Sequence, residues 1–342
     1  MALNTIVAGR AWLYSHNIGR NAQAGMGFSN PVGVAVAPEG VLYVANRSGE
    51  QNPSSRISKV TIDQEFITEF GREGPAYGGG GRNHFTWLTG VALDSEENVY
   101  TTDEWKSQIS IFDKEGTMLS VWGEKGNGAD QLDGPAGIAL DADGTLWIVD
   151  CNNARVQHFT KEGQHLGSFG EPGEAEGQFK LPYGITIDQA GNIYIADWGN
   201  HRVQKFSPDG TFLLTFGHGG KGSGSLNHPT GVCVDNEGDV YVVDWMNERV
   251  VIYDEDTKPL TYLYGDAVEV SKWGQMGLDA NPDMVKRRNQ VQDQVEQQRK
   301  FRLPTGCAYD LVNNRLIVCD TQRGRLQIYL KDHKYQDPQF DL

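Results

Sequence analysis

Three histidines and one tyrosine are the residues of this sequence best suited to proton transfer. His84, His218 and His228 lie in polar, turn-rich segments, and Tyr183 stands at the start of an apolar run. A neutral imidazole can act as a general base, with a tyrosine or an aspartate nearby as its partner. No Ser-His-Asp spacing, phosphate-binding loop or metal-ligand motif accompanies them, so they are catalytic candidates without an assigned mechanism. Cys151 is a weaker candidate nucleophile, because no neighbour in the sequence would lower the pKa of its thiol.

Aromatic and polar side chains at the ends of strand-like runs form a second set, which is suited to binding. Trp105, Trp198 and Trp245 follow the aspartate that ends such a run. Aromatic residues on loops add a large contact area with few rotatable bonds, which favours a recognition surface. The alternative is that the tryptophans seal neighbouring structural units against each other. The candidate ligand-binding residues of this set are Asn46, Trp87, Trp105, Tyr183, Trp198, His228 and Trp245.

Basic residues are concentrated late in the chain, and Arg287, Arg288 and Arg302 complete the candidate ligand-binding set. Helix-forming residues without a breaker, from about Asn281 to Arg302, predict a helix within the segment 266–300. A cationic helix above an aromatic site would suit a ligand with a carboxylate or phosphate group. The alternative is a solvated helix whose charges pair with the acidic remainder of the protein.

A repeated unit must position these side chains. The segment from Leu181 to Gly217 has four short strand-like runs separated by turn residues, and related copies occur before and after it. Three of the five intervals between the glycines that open the copies are 47 residues, which is typical of propeller blades. These glycines are Gly33, Gly90, Gly137, Gly184, Gly231 and Gly306.

We therefore predict an all-β fold, a six-bladed β-propeller that forms a single domain over residues 1–342. The last copy stops after its third strand, so the N-terminal residues 11–19 are expected to complete it and close the ring. Three internal insertions interrupt the repeat: the long loop from Asn46 to Arg56, the glycine-rich connector from Tyr77 to His84 and the segment 266–300. They follow positions that emerge on one face, so they are expected to surround one mouth of the central channel. The predicted blades are 28–71, 85–123, 132–170, 179–217, 226–265 and 301–330 plus 11–19, with a helical insertion at 266–300.

Comparison of the copies separates structural positions from variable ones. An aspartate ends the second strand in five copies, with Asn46 in the first, and an arginine begins the third strand in five, with Gln108 as the exception. A carboxylate and a guanidinium at this spacing can tie the loop between the strands. We therefore interpret these residues as structural and not as a ring of cation ligands.

The order of short motifs in the copies resembles that of the NHL-repeat family. Each copy has Pro-x-Gly, then two apolar runs of which the second ends in Asp, then Asn-x-Arg-Val and a closing Phe-Gly, with some departures from this pattern. Asn200-His201-Arg202-Val203 is an example of the motif. The resemblance implies the propeller fold but several functions, among them protein or RNA binding and lyase activity. Zinc-dependent amidating lyases of similar pattern place histidines between the Pro and the Gly, where this chain has Val32, Thr89, Ala136, Tyr183, Thr230 and Thr305. A zinc lyase of that kind is therefore not expected. Gluconolactonase-like propellers hold a divalent cation at the channel mouth, and the sequence leaves such a cation open.

The net charge of −15 disfavours nucleic acid and anionic membranes as partners. The absence of a secretory-type N-terminal segment and of membrane-length apolar runs favours a cytoplasmic protein. No cofactor is predicted. The sequence favours a module that recognises a small molecule, protein or peptide at the loop-bearing face. The alternative is a lyase or hydrolase acting on a small anionic substrate at the same mouth, so enzymatic activity is left open.

Overall fold

The computed structural model describes residues 4–7, 9–48, 54–72, 84–281, 283–286 and 298–335. Short runs of β-branched and aromatic residues form the strands, and turns with glycine in the left-handed region separate them. These strands form six antiparallel sheets arranged as the blades of a propeller, which confirms the predicted fold.

The first three blades are four-stranded. Blade 1 contains β3 (Pro31–Val36), β4 (Val41–Asn46), β5 (Arg56–Thr61) and β6 (Phe66–Phe70). Blade 2 contains β7 (Leu88–Leu93), β8 (Val99–Asp103), β9 (Gln108–Phe112) and β10 (Met118–Trp122). Blade 3 contains β11 (Pro135–Leu140), β12 (Leu146–Asp150), β13 (Arg155–Phe159) and β14 (His165–Phe169). A two-residue parallel pair follows, β15 (Glu171–Pro172) and β16 (Gln178–Phe179).

Blades 4 and 5 repeat the same meander. Blade 4 contains β17 (Pro182–Ile187), β18 (Ile193–Asp197), β19 (Arg202–Phe206) and β20 (Phe212–Phe216). Blade 5 contains β21 (Pro229–Val234), β22 (Val240–Asp244), β23 (Arg249–Tyr253) and β24 (Pro259–Leu263). In each of these five blades the first strand faces the central channel and the fourth forms the outer edge.

Blade 6 joins the two ends of the chain. Its inner strands are β25 (Cys307–Asp310), β26 (Arg315–Asp320) and β27 (Arg325–Asp332), and β2 (Arg10–Ile18) pairs with β27 from Ala11↔Asp332 to Ile18↔Leu326. The predicted closure by the N-terminal strand is therefore confirmed. A further strand that we did not predict, β1 (Asn4–Val7), pairs with β2 and gives this sheet a fifth strand.

The glycine at the start of each inner strand allows neighbouring blades to approach closely. A Cβ placed on Gly184 would lie 2.4 Å from the carbonyl oxygen of Thr230 in blade 5, and a Cβ on Gly306 would lie 2.4 Å from that of Val32 in blade 1. Between the blades, apolar side chains form continuous clusters that include fully buried aromatic rings. The contact between Gly306 and Val32 shows that the same packing also joins blade 6 to blade 1.

The aspartate–arginine pairs are structural, as the sequence comparison predicted. Nε of Arg155 lies 2.7 Å from Asp150, and the same pair recurs in blades 4, 5 and 6. The first blade departs from the rule because Asn46 carries no charge, and Arg56 pairs instead with Glu69 at 2.9 Å. These pairs hold the loops between the second and third strands, which surround one mouth of the channel.

The described residues at the start of the insertion after blade 5 lie on the outside of the ring. Its first half forms α1 (Lys272–Asp279), capped by Ser271, and buried Trp273 packs against Phe28 and donates its indole N–H to the carbonyl of Gln64 at 2.7 Å. The predicted helical insertion between blades 5 and 6 is therefore confirmed. The helix α1 itself lies before the predicted one, because Gly274 and Gly277 disfavour a helix in its sequence. The described part of the insertion therefore packs beside blades 6 and 1, and not over the channel mouth as expected.

The predicted helix from about Asn281 to Arg302 is only partly within the described residues. Residues 283–286 are helical, whereas 287–297 lie outside the part of the chain that the structure describes. No helix within the described ranges is long and apolar enough to cross a membrane.

Candidate functional site

A pocket of about 530 Å³ lies at the mouth of the channel on the loop-bearing face. We call it the mouth pocket. Residues from all six blades contribute to its wall, so it exists only in the closed ring. It is lined by Asn30, Val32, Arg47, Glu104, Cys151, Asn152, Leu181, Tyr183, Trp198, Thr230, Trp245, Leu303, Thr305, Thr321 and Gln322.

One equivalent position in every blade supplies the outer wall of the mouth pocket. It is the residue directly after the second strand, and in four blades it begins a short 3₁₀ turn. The side chains at this position are Arg47, Glu104, Cys151, Trp198, Trp245 and Thr321.

Trp105 does not occupy the outer-wall position of blade 2. β8 ends at Asp103, so Glu104 takes the place that corresponds to Trp198 and Trp245. Trp105 lies one residue farther along, is 71% exposed and does not line the pocket. Aligning the blades on the strand-ending aspartate, rather than on the tryptophans, would have identified Glu104 from the sequence.

The residue between Pro and Gly at the start of the inner strand supplies the floor. Val32, Tyr183, Thr230 and Thr305 occupy this position and line both the mouth pocket and the channel below it. Around them, the residues that precede the prolines turn inward with φ in the left-handed region, which is strained for side chains other than glycine. Those in the wall are Asn30 (φ 45°), Leu181 (φ 50°) and Leu303 (φ 42°).

Arg47 crosses the floor from blade 1 to blade 4. Its Nη2 donates to Oη of Tyr183 at 2.8 Å and to Oγ1 of Thr89 at 2.7 Å, and it lies 3.3 Å from Oε2 of Glu104. Its Nε donates to the carbonyl of Leu88, and its guanidinium stacks over the ring of Trp87 at 5.0 Å. These contacts fix the only arginine of the pocket wall in the described structure and pair its charge with that of Glu104.

Two indoles form the apolar side of the mouth pocket. The ring centroids of Trp198 and Trp245 are 6.3 Å apart, and both rings are half-buried. The imidazole of His228 packs on Trp198 at 4.0 Å, and that of His201 packs on His228 at 4.4 Å. The two tryptophans thus present ring surface to the pocket while the histidines support them from outside.

Three titratable side chains at the pocket, Tyr183, Cys151 and His228, are uncharged at neutral pH. Burial raises the pKa of Tyr183, although Arg47 opposes the shift, so its hydroxyl stays protonated. Burial, with the neighbouring carboxylate of Glu104, raises the pKa of Cys151 to about 12, which makes the thiol a poor nucleophile. Burial and the adjacent His201 lower the pKa of His228, so its imidazole is neutral.

Comparison with known proteins agrees with this architecture. The NHL repeat family matches residues 132–159, 179–206 and 226–253, the first three strands of blades 3, 4 and 5. The match shows NHL repeats in three of the six blades. The chain is a six-bladed β-propeller with NHL repeats. No curated protein matches it significantly in sequence.

Solved structures similar to this NHL propeller share its fold at low sequence identity. A protein of unknown function from Bacteroides thetaiotaomicron has a TM-score of 0.64 at 17% identity, over 94% of this chain and 76% of that one. A gluconolactonase from Xanthomonas campestris has a TM-score of 0.58 at 14% identity, over 95% and 91% of the two chains. A catalytically inactive virginiamycin B lyase from Staphylococcus aureus, solved with quinupristin, has a TM-score of 0.54 at 14% identity, over 94% and 88%. Identities this low support the fold and not the activity.

The NHL propeller brings three of the predicted ligand-binding residues together in the mouth pocket: Tyr183, Trp198 and Trp245. His228 lies behind Trp198. Asn46 is fully buried, and its amide group is hydrogen-bonded within blade 1 to the backbone and to Ser58.

The remaining predicted site residues lie away from the mouth pocket or outside the described structure. Trp87 supports Arg47 from beneath, and exposed Arg302 lies 3.7 Å from Glu248. Arg287 and Arg288 fall outside the described residues. Of the catalytic candidates, His84 and His218 do not line the pocket, and His218 is exposed with Nδ1 2.9 Å from its neighbour's carbonyl.

The pocket-lining residues missed from the sequence include both charged groups, Arg47 and Glu104. In the described part of the NHL propeller, no group of three or more His, Cys, Asp or Glu side chains is arranged to hold a metal ion.

Proposed function

We propose that this NHL propeller recognises a small, ring-containing molecule in the mouth pocket. The observation that carries the proposal is the pair of indoles, Trp198 and Trp245, on one wall of a cavity whose opposite side is polar. Half-exposed tryptophans offer flat apolar area to a planar or ring-shaped ligand, and the polar groups can fix its orientation. The volume of about 530 Å³ falls within the ordinary range for small-molecule sites.

The described side chains favour recognition over covalent chemistry. The thiol of Cys151 is protonated at neutral pH, and no histidine lines the described pocket. A nucleophile or base needs a partner that activates it, as in a Cys–His pair. Binding without turnover is therefore the leading function.

One observation supports a lyase or hydrolase as the second candidate. Glu104 lines the pocket, and only its Oε2 has hydrogen-bond partners among the described residues, Arg47 and Thr89. Its other oxygen is available to accept a proton from a bound molecule. Two of the similar structures are a lyase and a gluconolactonase, at identities too low to transfer their activities.

The test compares tryptophans inside and outside the pocket. Uncharged one-ring and two-ring compounds are screened by ligand-observed NMR against the wild type and the variants Trp198→Leu, Trp245→Leu and Trp105→Leu. We expect Trp198→Leu and Trp245→Leu each to weaken binding about three- to tenfold, the loss of one aromatic contact. Trp105→Leu is the matched control, because Trp105 is exposed on the same face outside the pocket, and it should bind like the wild type.

Two results would contradict the proposal. One is a panel in which no compound binds the wild type. The other is binding that Trp105→Leu weakens as much as Trp198→Leu does. Turnover of a bound compound that Glu104→Gln abolishes would instead support the enzyme.

A further inference from the structure

We propose that the mouth pocket selects ligands in which the ring carries a neutral carbonyl group, such as an amide or an ester, and that it disfavours carboxylates. This inference rests on the proposed function and adds the chemical class of the ligand. It depends on two properties of the floor, the hydrogen-bond donors that it offers and the balance of its charges.

The floor offers two hydroxyl donors without acceptors. The Oγ1 of Thr230 is buried and has no hydrogen-bond partner among the described residues, although the side chain borders the pocket. The Oη of Tyr183 accepts its hydrogen bond from Arg47, so its own proton remains available. A buried hydroxyl without a partner is costly, and an acceptor supplied by the ligand would remove that cost.

A carbonyl oxygen matches this arrangement. It has lone pairs that can accept a hydrogen bond from either hydroxyl. Tyr183 and Thr230 occupy the same position in adjacent blades 4 and 5, between the proline and the opening glycine of the inner strand. Gly184, directly after Tyr183, lies against the carbonyl of Thr230, so the two donors come from backbones in contact.

The charges in the pocket wall already balance. Arg47 and Glu104 are the charged residues of the described lining, and they lie 3.3 Å apart. A carboxylate bound beside them would leave one uncompensated negative charge in a partly dehydrated site, next to Glu104. A neutral carbonyl adds no charge, and Nη2 of Arg47 is already engaged by Glu104, Thr89 and Tyr183.

The aromatic wall and the floor belong to one cavity, so a single small molecule can reach both. Its ring would lie against Trp198 and Trp245 and its carbonyl against Tyr183 and Thr230. The expectation of an anionic ligand came from Arg287 and Arg288, which lie outside the described residues, and from Arg302, which pairs with Glu248.

The experiment varies the head group on one ring. Indole-3-acetamide, methyl indole-3-acetate, indole-3-acetate and 3-methylindole are titrated against the full-length protein at pH 7 by isothermal titration calorimetry or ligand-observed NMR. The amide and the ester are expected to bind about three- to tenfold more tightly than 3-methylindole, as one added neutral hydrogen bond implies. The carboxylate is expected to bind more weakly than the amide.

Two isosteric variants remove the donors. Thr230→Val and Tyr183→Phe should each reduce the advantage of the amide over 3-methylindole about threefold or more, while binding of 3-methylindole itself stays unchanged. Thr186→Val is the matched control, because Thr186 lies on the same inner strand as Tyr183 but lines the channel below the pocket. Thermal unfolding of each variant establishes that it is folded.

The outcomes separate this inference from the proposed function. The inference is overturned if indole-3-acetate binds more tightly than indole-3-acetamide. It is also overturned if indole-3-acetamide keeps its full advantage over 3-methylindole in both variants. If all four probes bind equally and Trp198→Leu weakens them all, the carbonyl inference fails while ring recognition stands. If none of the four binds, the proposed function fails, and the inference fails with it.

Discussion

Neighbouring residues at the end of the second strand have opposite roles. The aspartate that ends the strand is the same in five blades and is buried by its own loop, where it accepts hydrogen bonds from backbone N–H groups and, in four of the blades, from arginine. The next residue differs in every blade except for the two tryptophans and faces the mouth pocket. A position shared by the blades therefore maintains the fold, and the variable position beside it supplies the wall of the mouth pocket.

The turns on the opposite face depend on another aspartate, as Asp94 shows. Its carboxylate accepts hydrogen bonds from the backbone N–H groups of Glu96 and Asn98, and from the side chains of Asn98, Tyr100 and Lys161. Burial acts to raise the pKa of Asp94, but the bonds from Lys161 and Asn98 outweigh it and lower the pKa to about 2. Lys161 belongs to blade 3, so this carboxylate also links two blades.

We expect Asp94 to contribute to stability in a pH-dependent way. Because the folded pKa lies below the unfolded value of about 3.9, the contribution is present above pH ~4 and is lost as the pH falls toward 2. In chemical denaturation, the free energy of unfolding of the wild type should exceed that of Asp94→Asn by about 2 kcal/mol at pH 6. This difference should disappear near pH 2. The control Asp143→Asn, in an exposed turn of blade 3, should show no such dependence. A difference in the free energy of unfolding between the wild type and Asp94→Asn that is the same at both pH values would refute this account.

At the level of elements, the strands that close the ring are held by ion pairs as well as by the backbone hydrogen bonds between β2 and β27. Lys331 of β27 is 1% exposed and pairs with Asp235, with Glu237 at 2.7 Å and with Asp239 at 2.7 Å, all in the turn of blade 5. Arg10 of β2 reaches the same turn at 3.3 Å from Asp239. Both strands that close the ring are therefore tied to the preceding blade.

Removal of the Lys331 charge should loosen this closure. Lys331→Met would leave Asp235 and Asp239 buried without their main cation, and we expect it to lower the free energy of unfolding by about 3–5 kcal/mol. Lys205→Met is the control, because Lys205 lies 3.8 Å from Asp188 and is partly exposed, so its loss should cost less than about 1 kcal/mol. Equal effects of the two substitutions in urea denaturation would show that the buried pair does not stabilise the closure.

For the whole molecule, the ring depends on close contact between inner strands. A Cβ built on the opening glycine of each blade would face the carbonyl of the residue before the opening glycine of the next blade. In four of these contacts that residue lines the mouth pocket, as for Gly137 and Tyr183 or Gly184 and Thr230. The packing of the ring and the position of the pocket floor are therefore set by the same contact.

A methyl group at this contact should destabilise the ring. Gly184→Ala would place Cβ 2.4 Å from a backbone carbonyl, and we expect a loss of about 1–3 kcal/mol in the free energy of unfolding. Gly167→Ala is the matched control, because a Cβ on this outer-strand glycine meets no atom within 4 Å. Its stability should equal or slightly exceed that of the wild type. A Gly184→Ala protein as stable as Gly167→Ala would show that the blades can separate without cost.

The sequence by itself determined the repeat, the closure by residues 11–19 and the structural role of pairs such as Asp150 and Arg155. Each of these depends on spacing within one copy or on counting strands, and such information is local. The same patterns predicted that Tyr183, Trp198 and Trp245 lie on one face, and the structure places all three in one pocket.

Only the tertiary structure decided which side chains meet at the axis of the ring. Arg47 and Tyr183 are 136 residues apart, and their hydrogen bond exists because a long guanidinium side chain crosses a channel formed by all six blades. Glu104 enters the pocket because strand β8 ends one residue before it, and α1 lies outside the ring because Trp273 is buried beside Phe28. Local periodicity fixes the face and the end of each strand, but the contacts across the channel depend on the closure of the ring and on the reach of individual side chains.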